Sequence, residues 1–302
     1  GDPATVTWRP QTEAYQVQAD VTTIDPTGAL NLTVTAPSPG VIAITGQIPS
    51  TEPHALQTFQ VADPPAFART LLIEALVRAG VTVAATATGP NPDGKLPPAG
   101  SYTEADRVAL FTSPPFAENI KLILKVSMNQ DADLLIFLLA LKHGETSFAA
   151  GLAQIPPFLR DIGLDPDQVS LSDGRGNEYT DLFSPQTVAR LLQTMVTQPD
   201  FAHYFDGLPI LGVDGSEVDT VAPTSPVRGK AFAKSGTTID GDVMNQRPLT
   251  MVRALAGYLT AKSGRELIFT IYVSDVPLAD TLEILTVIKE QGSIAEVIYE
   301  RN

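Results

Sequence analysis

Between residues 15 and 48 apolar and polar positions alternate in three β-rich runs, 15–23, 29–35 and 41–48. The breaks between them are turn sequences, Asp25-Pro26-Thr27-Gly28 and Pro37-Ser38-Pro39-Gly40, so the pattern predicts a β-meander. Asp63-Pro64-Pro65 opens an amphipathic run over 66–79, and Gly80 follows it. Proline at the start and glycine at the stop predict one helix there. Residues 81–88 are β-rich again. Gly89-Pro90-Asn91-Pro92-Asp93-Gly94 and Leu96-Pro97-Pro98-Ala99-Gly100 then form a connection dense in proline and glycine, and a domain boundary is expected near residue 110. Beyond it, 116–126 and 131–141 carry apolar residues at helical spacing and flank the break Ser127-Met128-Asn129. Ser184-Pro185 reads as an N-cap followed by proline at the first helical position, starting a helix that runs to about Met195. The pattern then changes to strands at 230–234, 251–261 and 266–274, and an amphipathic helix over 278–291 follows. No internal repeat is visible.

Length and composition narrow the picture. At 302 residues the chain is about twice a typical domain, so two or more cores are expected. With 43% hydrophobic and 18% charged residues it reads as folded rather than disordered. The net charge of -14 would repel a polyphosphate backbone, so nucleic acid is not an expected partner. Cysteine is absent, which removes disulfides, thiolate catalysis and cysteine-ligated metal sites without settling the compartment. No run of about 18 apolar residues occurs. Gly1-Asp2-Pro3 has neither the basic region nor the apolar run of a signal peptide, so the N-terminus reads as truncated.

The candidate chemistry is sparse. His54, His143 and His203 are far apart and show no ligand spacing, so no metal is expected. There is no P-loop, no dinucleotide-binding glycine motif after a strand, and no G-x-S-x-G elbow, and no cofactor is expected. Two short elements remain: Ser127-Met128-Asn129 between two helices, and Lys234-Ser235-Gly236-Thr237 at the end of a strand about a hundred residues later. In isolation Ser127 and Asn129 read as caps for the helix starting near residue 130. Lys234 alone reads as a solvated charge and Ser235-Gly236 as a turn. Asp173-Gly174 and Asp214-Gly215 read as turns, with no catalytic role.

Flanking segments change the weighing. Asp173-Gly174-Arg175-Gly176 followed by Phe183-Ser184-Pro185 resembles the D-G-x-G then V-S-P passage of the D-alanyl-D-alanine carboxypeptidases of the penicillin-binding protein 4 (DacB) type, with the family's serine after the first glycine replaced. Leu208-Pro209-Ile210-Leu211-Gly212-Val213-Asp214-Gly215-Ser216 is similar to that family's L-P-x-A-G-x-D-G-T segment. Arg228-Gly229-Lys230-Ala231-Phe232-Ala233-Lys234-Ser235-Gly236-Thr237 resembles its V-x-A-K-T-G-T strand, and Gly257-Tyr258 follows as in the family. The resemblance covers nearly the whole chain.

The resemblance implies an α+β fold: a partial transpeptidase lobe of the serine β-lactamase/DD-peptidase kind, with an antiparallel sheet and helices over 111–302, and a β-rich inserted domain over 1–110. It implies a serine-type carboxypeptidase/endopeptidase acting in the cell envelope, outside the cytoplasm, on peptidoglycan stem peptides ending in D-Ala-D-Ala, with β-lactams bound by the full-length enzyme. Ser127 would relay a proton to the leaving D-alanine nitrogen, because its hydroxyl both donates and accepts. Asn129 would hold the substrate amide and the catalytic lysine. Lys234 would face the substrate's terminal carboxylate, Ser235 would keep a hydroxyl where threonine is commoner, and Gly236 would let the substrate backbone approach. The Thr237 N–H would supply half of an oxyanion hole.

The family's nucleophile is a serine with a lysine three residues on, so that both meet on one helix face. No lysine of this chain has a serine three residues before it, and Thr286-Val287-Ile288-Lys289 is the nearest approach. In this family inserted domains separate the nucleophile from S-x-N, so the chain is expected to begin inside the insertion. Truncation, a second chain supplying the segment, and natural loss of the chemistry all remain open at this point. A non-catalytic cell-envelope module that binds stem peptides is the alternative function.

Overall fold

The computed structural model describes residues 1–302 except 53–54, 90, 92, 99 and 177–178. His54 and part of the Pro/Gly connection lie outside the described residues. The chain divides into two compact units, Gly1–Leu110 and Phe111–Asn302.

The N-terminal unit contains strands β1 (Gln16–Ile24), β2 (Asn31–Ser38) and β3 (Val41–Pro49) and helix α1 (Pro64–Arg78). The strands form where alternation predicts them, but not as a meander. Their order is β1-β3-β2, with β1 parallel to β3 and β2 antiparallel to it. The hairpin between β2 and β3 is set locally, by Gly40 at φ 75° in the turn. The position of β1 is not local: the link over residues 25–30 must step across β3, two strand spacings or about 10 Å, which six residues at about 3.3 Å each can span. Alternation reports which positions face a core and says nothing about which strand is the neighbour. The α1 helix starts at Asp63, whose Oδ1 accepts from Ala66 N at 2.9 Å, and stops at Gly80, φ 84°. Residues 81–88, β-rich in sequence, form no strand. The segment is tied instead to α1, where Arg69 and Thr70 donate to the carbonyls of Thr86 and Ala87.

The C-terminal unit opens with α2 (Phe116–Val126) and α3 (Asn129–Lys142), followed by α4 (Phe148–Leu152) and α5 (Ile155–Asp161). A two-residue pairing of β4 (Val169–Ser170) with β5 (Leu182–Phe183) leads to α6 (Pro185–Met195) and α7 (Phe201–Gly207). Ser184 caps α6 as its sequence predicts, its Oγ accepting from Thr187 N at 3.0 Å. Strands β6 (Ala231–Asp242), β7 (Arg247–Thr260) and β8 (Glu266–Pro277) then form an antiparallel sheet in sequence order, and α8 (Ile284–Arg301) closes the chain. This helix starts six residues later than its pattern predicts, because Leu278 N is drawn to Pro248 O (2.9 Å) and Asp280 caps a short 3-10 turn first, and it ends ten residues later.

The sheet is covered on both faces. One face packs Ala231, Ala233, Leu255, Leu259 and Ile271 against Ala295 of α8. The other packs Phe232 and Tyr258 against Leu208 and residues of α2, α6 and α7. Burial on both sides explains why β7 reads as an almost continuous apolar run. Strand β6 is an edge strand. Its first residues are covered by the segment before it, with Leu211 N on Ala231 O (2.9 Å) and Ala233 N on Pro209 O (3.0 Å). From Lys234 onward, among the described residues, no strand pairs with its outer edge.

Candidate active site

The Ser127-Met128-Asn129 break joins α2 to α3. Ser127 ends α2 in the left-handed region, φ 56° and ψ 52°. That conformation costs a non-glycine residue about 1–2 kcal/mol, and residues so held cluster at functional sites because the surroundings must enforce it. The cap position of α3 is Met128, which has no side-chain oxygen to offer. Neither Ser127 nor Asn129 caps α3, so the capping explanation of these residues does not hold. Asn129 is the first residue of α3, is exposed, and has no side-chain hydrogen bond among the described residues.

The two Asp-Gly pairs hold this turn from either side. Asp214 accepts from Lys125 Nζ on both oxygens (2.8 and 2.7 Å) and from Ile210 N (2.8 Å), tying the last turn of α2 to the 210–214 loop. Gly215, φ 63°, packs so closely that an added Cβ would lie 2.5 Å from the Lys125 carbonyl oxygen. On the α3 side Gly174 N donates to Asp133 Oδ1 at 2.8 Å, and Arg175 Nε lies 2.9 Å from Asp173 and 3.5 Å from Asp133. They are turns, as their sequence suggests, and the turns are clamps on the helices flanking Ser127.

Lys234 reaches this turn from β6. Its Nζ donates to Ser127 Oγ at 2.8 Å, across 107 residues of sequence, and to the Ser235 carbonyl at 2.6 Å. Burial pushes the Lys234 ammonium below the ordinary lysine value; Glu217 opposes the shift and Arg253 adds to it. Because Ala233 N faces the outer edge of β6, the period of two turns the N–H and C=O of Ser235 and Thr237 to the same edge. Among the described residues the Ser235 N–H and both backbone groups of Thr237 have no partner on that edge, while the Ser235 carbonyl is held by Lys234 Nζ. Gly236 is exposed, and a Cβ there would meet nothing within 4 Å.

Behind the edge lies a group of buried polar side chains that the motifs do not announce. Ser235 Oγ donates to Glu217, Arg253 Nη1 donates to Thr237 Oγ1 at 2.7 Å, and Arg253 Nη2 lies 3.3 Å from Glu217 Oε2. Gln291 of α8 accepts from Arg253 Nε at 3.1 Å and donates to the Arg253 carbonyl at 2.8 Å. Arg253 carried a usable sequence signal, a lone cation inside an apolar strand run, since such residues are buried only when paired. Glu217 carried none, because Gly-Ser-Glu reads as an ordinary surface turn.

The structure therefore joins Ser127 directly to Lys234 and places Ser235, Gly236 and Thr237 along the open edge beside them. Asn129 lies two residues from Ser127 and bonds to none of them. Among the described residues no group of three or more histidine, aspartate or glutamate side chains could hold a metal. A cavity of about 560 Å³ lies in the N-terminal unit between Tyr15, Phe59 and Phe67, and one of about 400 Å³ lies beside α6; neither includes a site residue.

The C-terminal unit thus sets a serine at the end of one helix against a lysine on an edge strand. The structure is similar to penicillin binding protein 4 (dacB) from Haemophilus influenzae, with a TM-score of 0.66 at 20% identity over 96% of this chain and 62% of that one. A complex of that protein with a β-lactam gives a TM-score of 0.65 at 20% identity, over 96% of this chain and 64% of the other. A D-alanyl-D-alanine carboxypeptidase of Actinomadura sp. (strain R39) is 29% identical over 236 residues, 76% of this chain and 40% of that protein. The chain thus spans less than half the length of that relative. Residues 1–291 match the D-Ala-D-Ala carboxypeptidase 3 (S13) family, and the chain belongs to it.

Proposed function

We propose that this chain supplies the proton-relay and ligand-docking side of a serine-type D-Ala-D-Ala carboxypeptidase/endopeptidase that acts outside the cytoplasm on peptidoglycan stem peptides and is bound by β-lactams. The observation that carries the reading is the 2.8 Å bond from Lys234 Nζ to Ser127 Oγ at the point where the β6 edge becomes free. A peptide laid along that edge adds a strand to the sheet, with its backbone paired to Ser235 and Thr237. Lys234 then faces its terminal carboxylate, and Gly236 offers no side chain to keep the backbones apart. The Thr237 N–H points to the edge where the scissile carbonyl oxygen would lie, as one donor of an oxyanion hole. Ser127, bonded to the ammonium, passes a proton to the departing amine nitrogen. Asn129, on the first turn of α3, holds the amide of the ligand.

Acyl transfer also needs a nucleophile and a base beside it. None of the serines here has a lysine three residues on. The same observation favours a second reading, a cell-envelope module that binds stem peptides without cleaving them. Both readings predict binding of acetyl-D-alanyl-D-alanine in preference to acetyl-L-alanyl-L-alanine, abolished by Lys234→Met; equal binding of the two enantiomers would sink both. Fluorescent penicillin applied to the product of the complete gene separates them, since a stoichiometric covalent adduct requires the enzyme.

A further inference from the structure

The cavity of about 560 Å³ in the N-terminal unit has no part in the chemistry above, and its walls are chemically one-sided. Three half-buried rings line it: Tyr15 just before β1, Phe59 in the link from β3 to α1, and Phe67 in the first turn of α1. Phe59 and Phe67 both pack against Tyr15, with centroids 5.6 and 5.8 Å away and planes inclined by 74° and 49°, so the rings surround a common space at different slopes rather than stacking. Among the described lining residues Asp63 carries the only charge. It is exposed, no cation pairs with it among the described residues, and only its Oδ1 is engaged, by Ala66 N at 2.9 Å. Arg69 lies close by in the chain, but its guanidinium is turned to the carbonyls of Thr86 and Ala87.

The start of α1 could hold an anion only through free N–H groups, and it has none to offer. Pro64 and Pro65 lack the N–H, Ala66 N donates to Asp63 Oδ1, and Phe67 N donates to Asp63 O at 3.0 Å. Thr70, buried in the wall, has its Oγ1 2.8 Å from Ala87 O and 3.0 Å from Ala66 O, so its proton is committed to a carbonyl. The exposed hydroxyls of Ser38 and Thr88 serve an ion of either sign. What else remains for a ligand is apolar side chains, ring faces and one carboxylate. The face of an aromatic ring is negative and attracts a cation. The positive end of α1, equivalent to about half a charge, offsets only part of the charge on Asp63. We propose that this cavity is a binding site for a small organic ammonium ion, held over the rings of Tyr15, Phe59 and Phe67 with Asp63 as its counter-charge. The volume lies within the range of about 300–1,000 Å³ usual for small-molecule sites. Occupancy of the cavity does not depend on what binds at Lys234.

Choline and 3,3-dimethylbutan-1-ol share one shape and differ by a charge, because a quaternary carbon in the alcohol stands in place of the nitrogen. Titrated into the full chain and followed by NMR, choline should bind saturably, shift the ring protons of Tyr15, Phe59 and Phe67, and bind about 10-fold more tightly than the uncharged alcohol. Asp63→Asn keeps a side-chain oxygen to cap α1 and should lower the choline affinity about 5-fold, the loss of one exposed ionic contact, with the affinity for the alcohol unchanged. Tyr15→Leu should bring choline down to the level of the alcohol. A cavity that takes up any apolar molecule would bind the alcohol at least as well as choline in the parent chain and in both variants, and that result overturns the proposal. So do an absence of saturable choline binding, ring shifts confined to other residues, saturable binding of acetate at the same rings, and a choline affinity unmoved by Asp63→Asn. If Tyr15→Leu does not fold, the parent chain and Asp63→Asn decide alone.

Discussion

Alanine at Gly215 should loosen the turn that carries Ser127, by an amount that can be worked out beforehand. The backbone there sits at φ 63°, and a Cβ would lie 2.5 Å from the Lys125 carbonyl oxygen, short of ordinary contact at 3.4 Å by about 0.9 Å. That oxygen belongs to the main chain in the last turn of α2, two residues before Ser127, and cannot swing aside. The left-handed backbone costs alanine about 1–2 kcal/mol, and forcing α2 to move adds about 1–3 kcal/mol. Gly264 provides the control within the same unit: its φ is 88°, and a Cβ there meets nothing within 4 Å. Gly264→Ala should therefore cost only the backbone part, about 1–2 kcal/mol. Urea unfolding of both variants, followed through the near-ultraviolet dichroism of the tyrosines in the C-terminal unit, measures the difference. The amide resonance of Ser127 should shift in Gly215→Ala and stay in place in Gly264→Ala. Equal losses of stability, within about 0.5 kcal/mol, or an unmoved Ser127, would refute the idea that Gly215 sets the position of the turn.

Other outcomes follow from the same geometry. Burial pushes the Tyr204 hydroxyl from 10.0 up to about 12 and raises Tyr258 as well. Above pH 10 the unfolded chain ionises both while the folded chain does not, so stability should decline between pH 10 and 12; titration at 295 nm that ionises all seven tyrosines by pH 11 without unfolding would contradict this. Binding of a carboxylate ligand should weaken as pH rises through the lowered Lys234 value, below the 10.5 of an ordinary lysine, and a calorimetric pH series that stays flat to 10.5 would refute the assignment. Lys125→Met should cost about 1 kcal/mol, since its partner Asp214 is partly exposed, measured by the shift in the urea midpoint. Finally, the 302-residue chain incubated with fluorescent penicillin should show no stoichiometric adduct by intact-protein mass spectrometry, because among the described residues Ser127 bonds only to the cation Lys234 and has no base beside it; an adduct would show that the nucleophile has been misplaced.

Elements that announce themselves by end signals were legible. The bounds of α2 and the start of α6 follow from local apolar spacing and from Ser184-Pro185, and the structure reproduces them. Elements defined by distant partners were not. The β6 pattern stops at Lys234 because Ser235-Gly236 reads as a turn, yet pairing with β7 carries the strand on to Asp242. The order β1-β3-β2 was hidden for the same reason, since no residue within a strand states its neighbour. In the site, Ser127 and Lys234 were found because two short motifs stood in a recognisable order. Glu217 was missed because its burial is imposed by packing, and its four donors come from both sides of it in the chain and from two separate strands.

The free edge of β6 has a consequence for the protein in concentrated solution. An exposed row of unpaired N–H and C=O groups can recruit the edge of a second molecule as readily as it recruits a short peptide, and long flat edges invite assembly. Here the dangerous length is short. The segment before β6 covers its outer edge as far as Ala233. At the other end the register with β7 slips between Thr238 and Ile239, and such a bulge twists the strand away from a flat partner. Asp240 beyond it is exposed and places a negative charge at that end of the strand. What is left open runs from Lys234 to Thr238, long enough to grip the end of one small peptide and too short to seed a growing sheet.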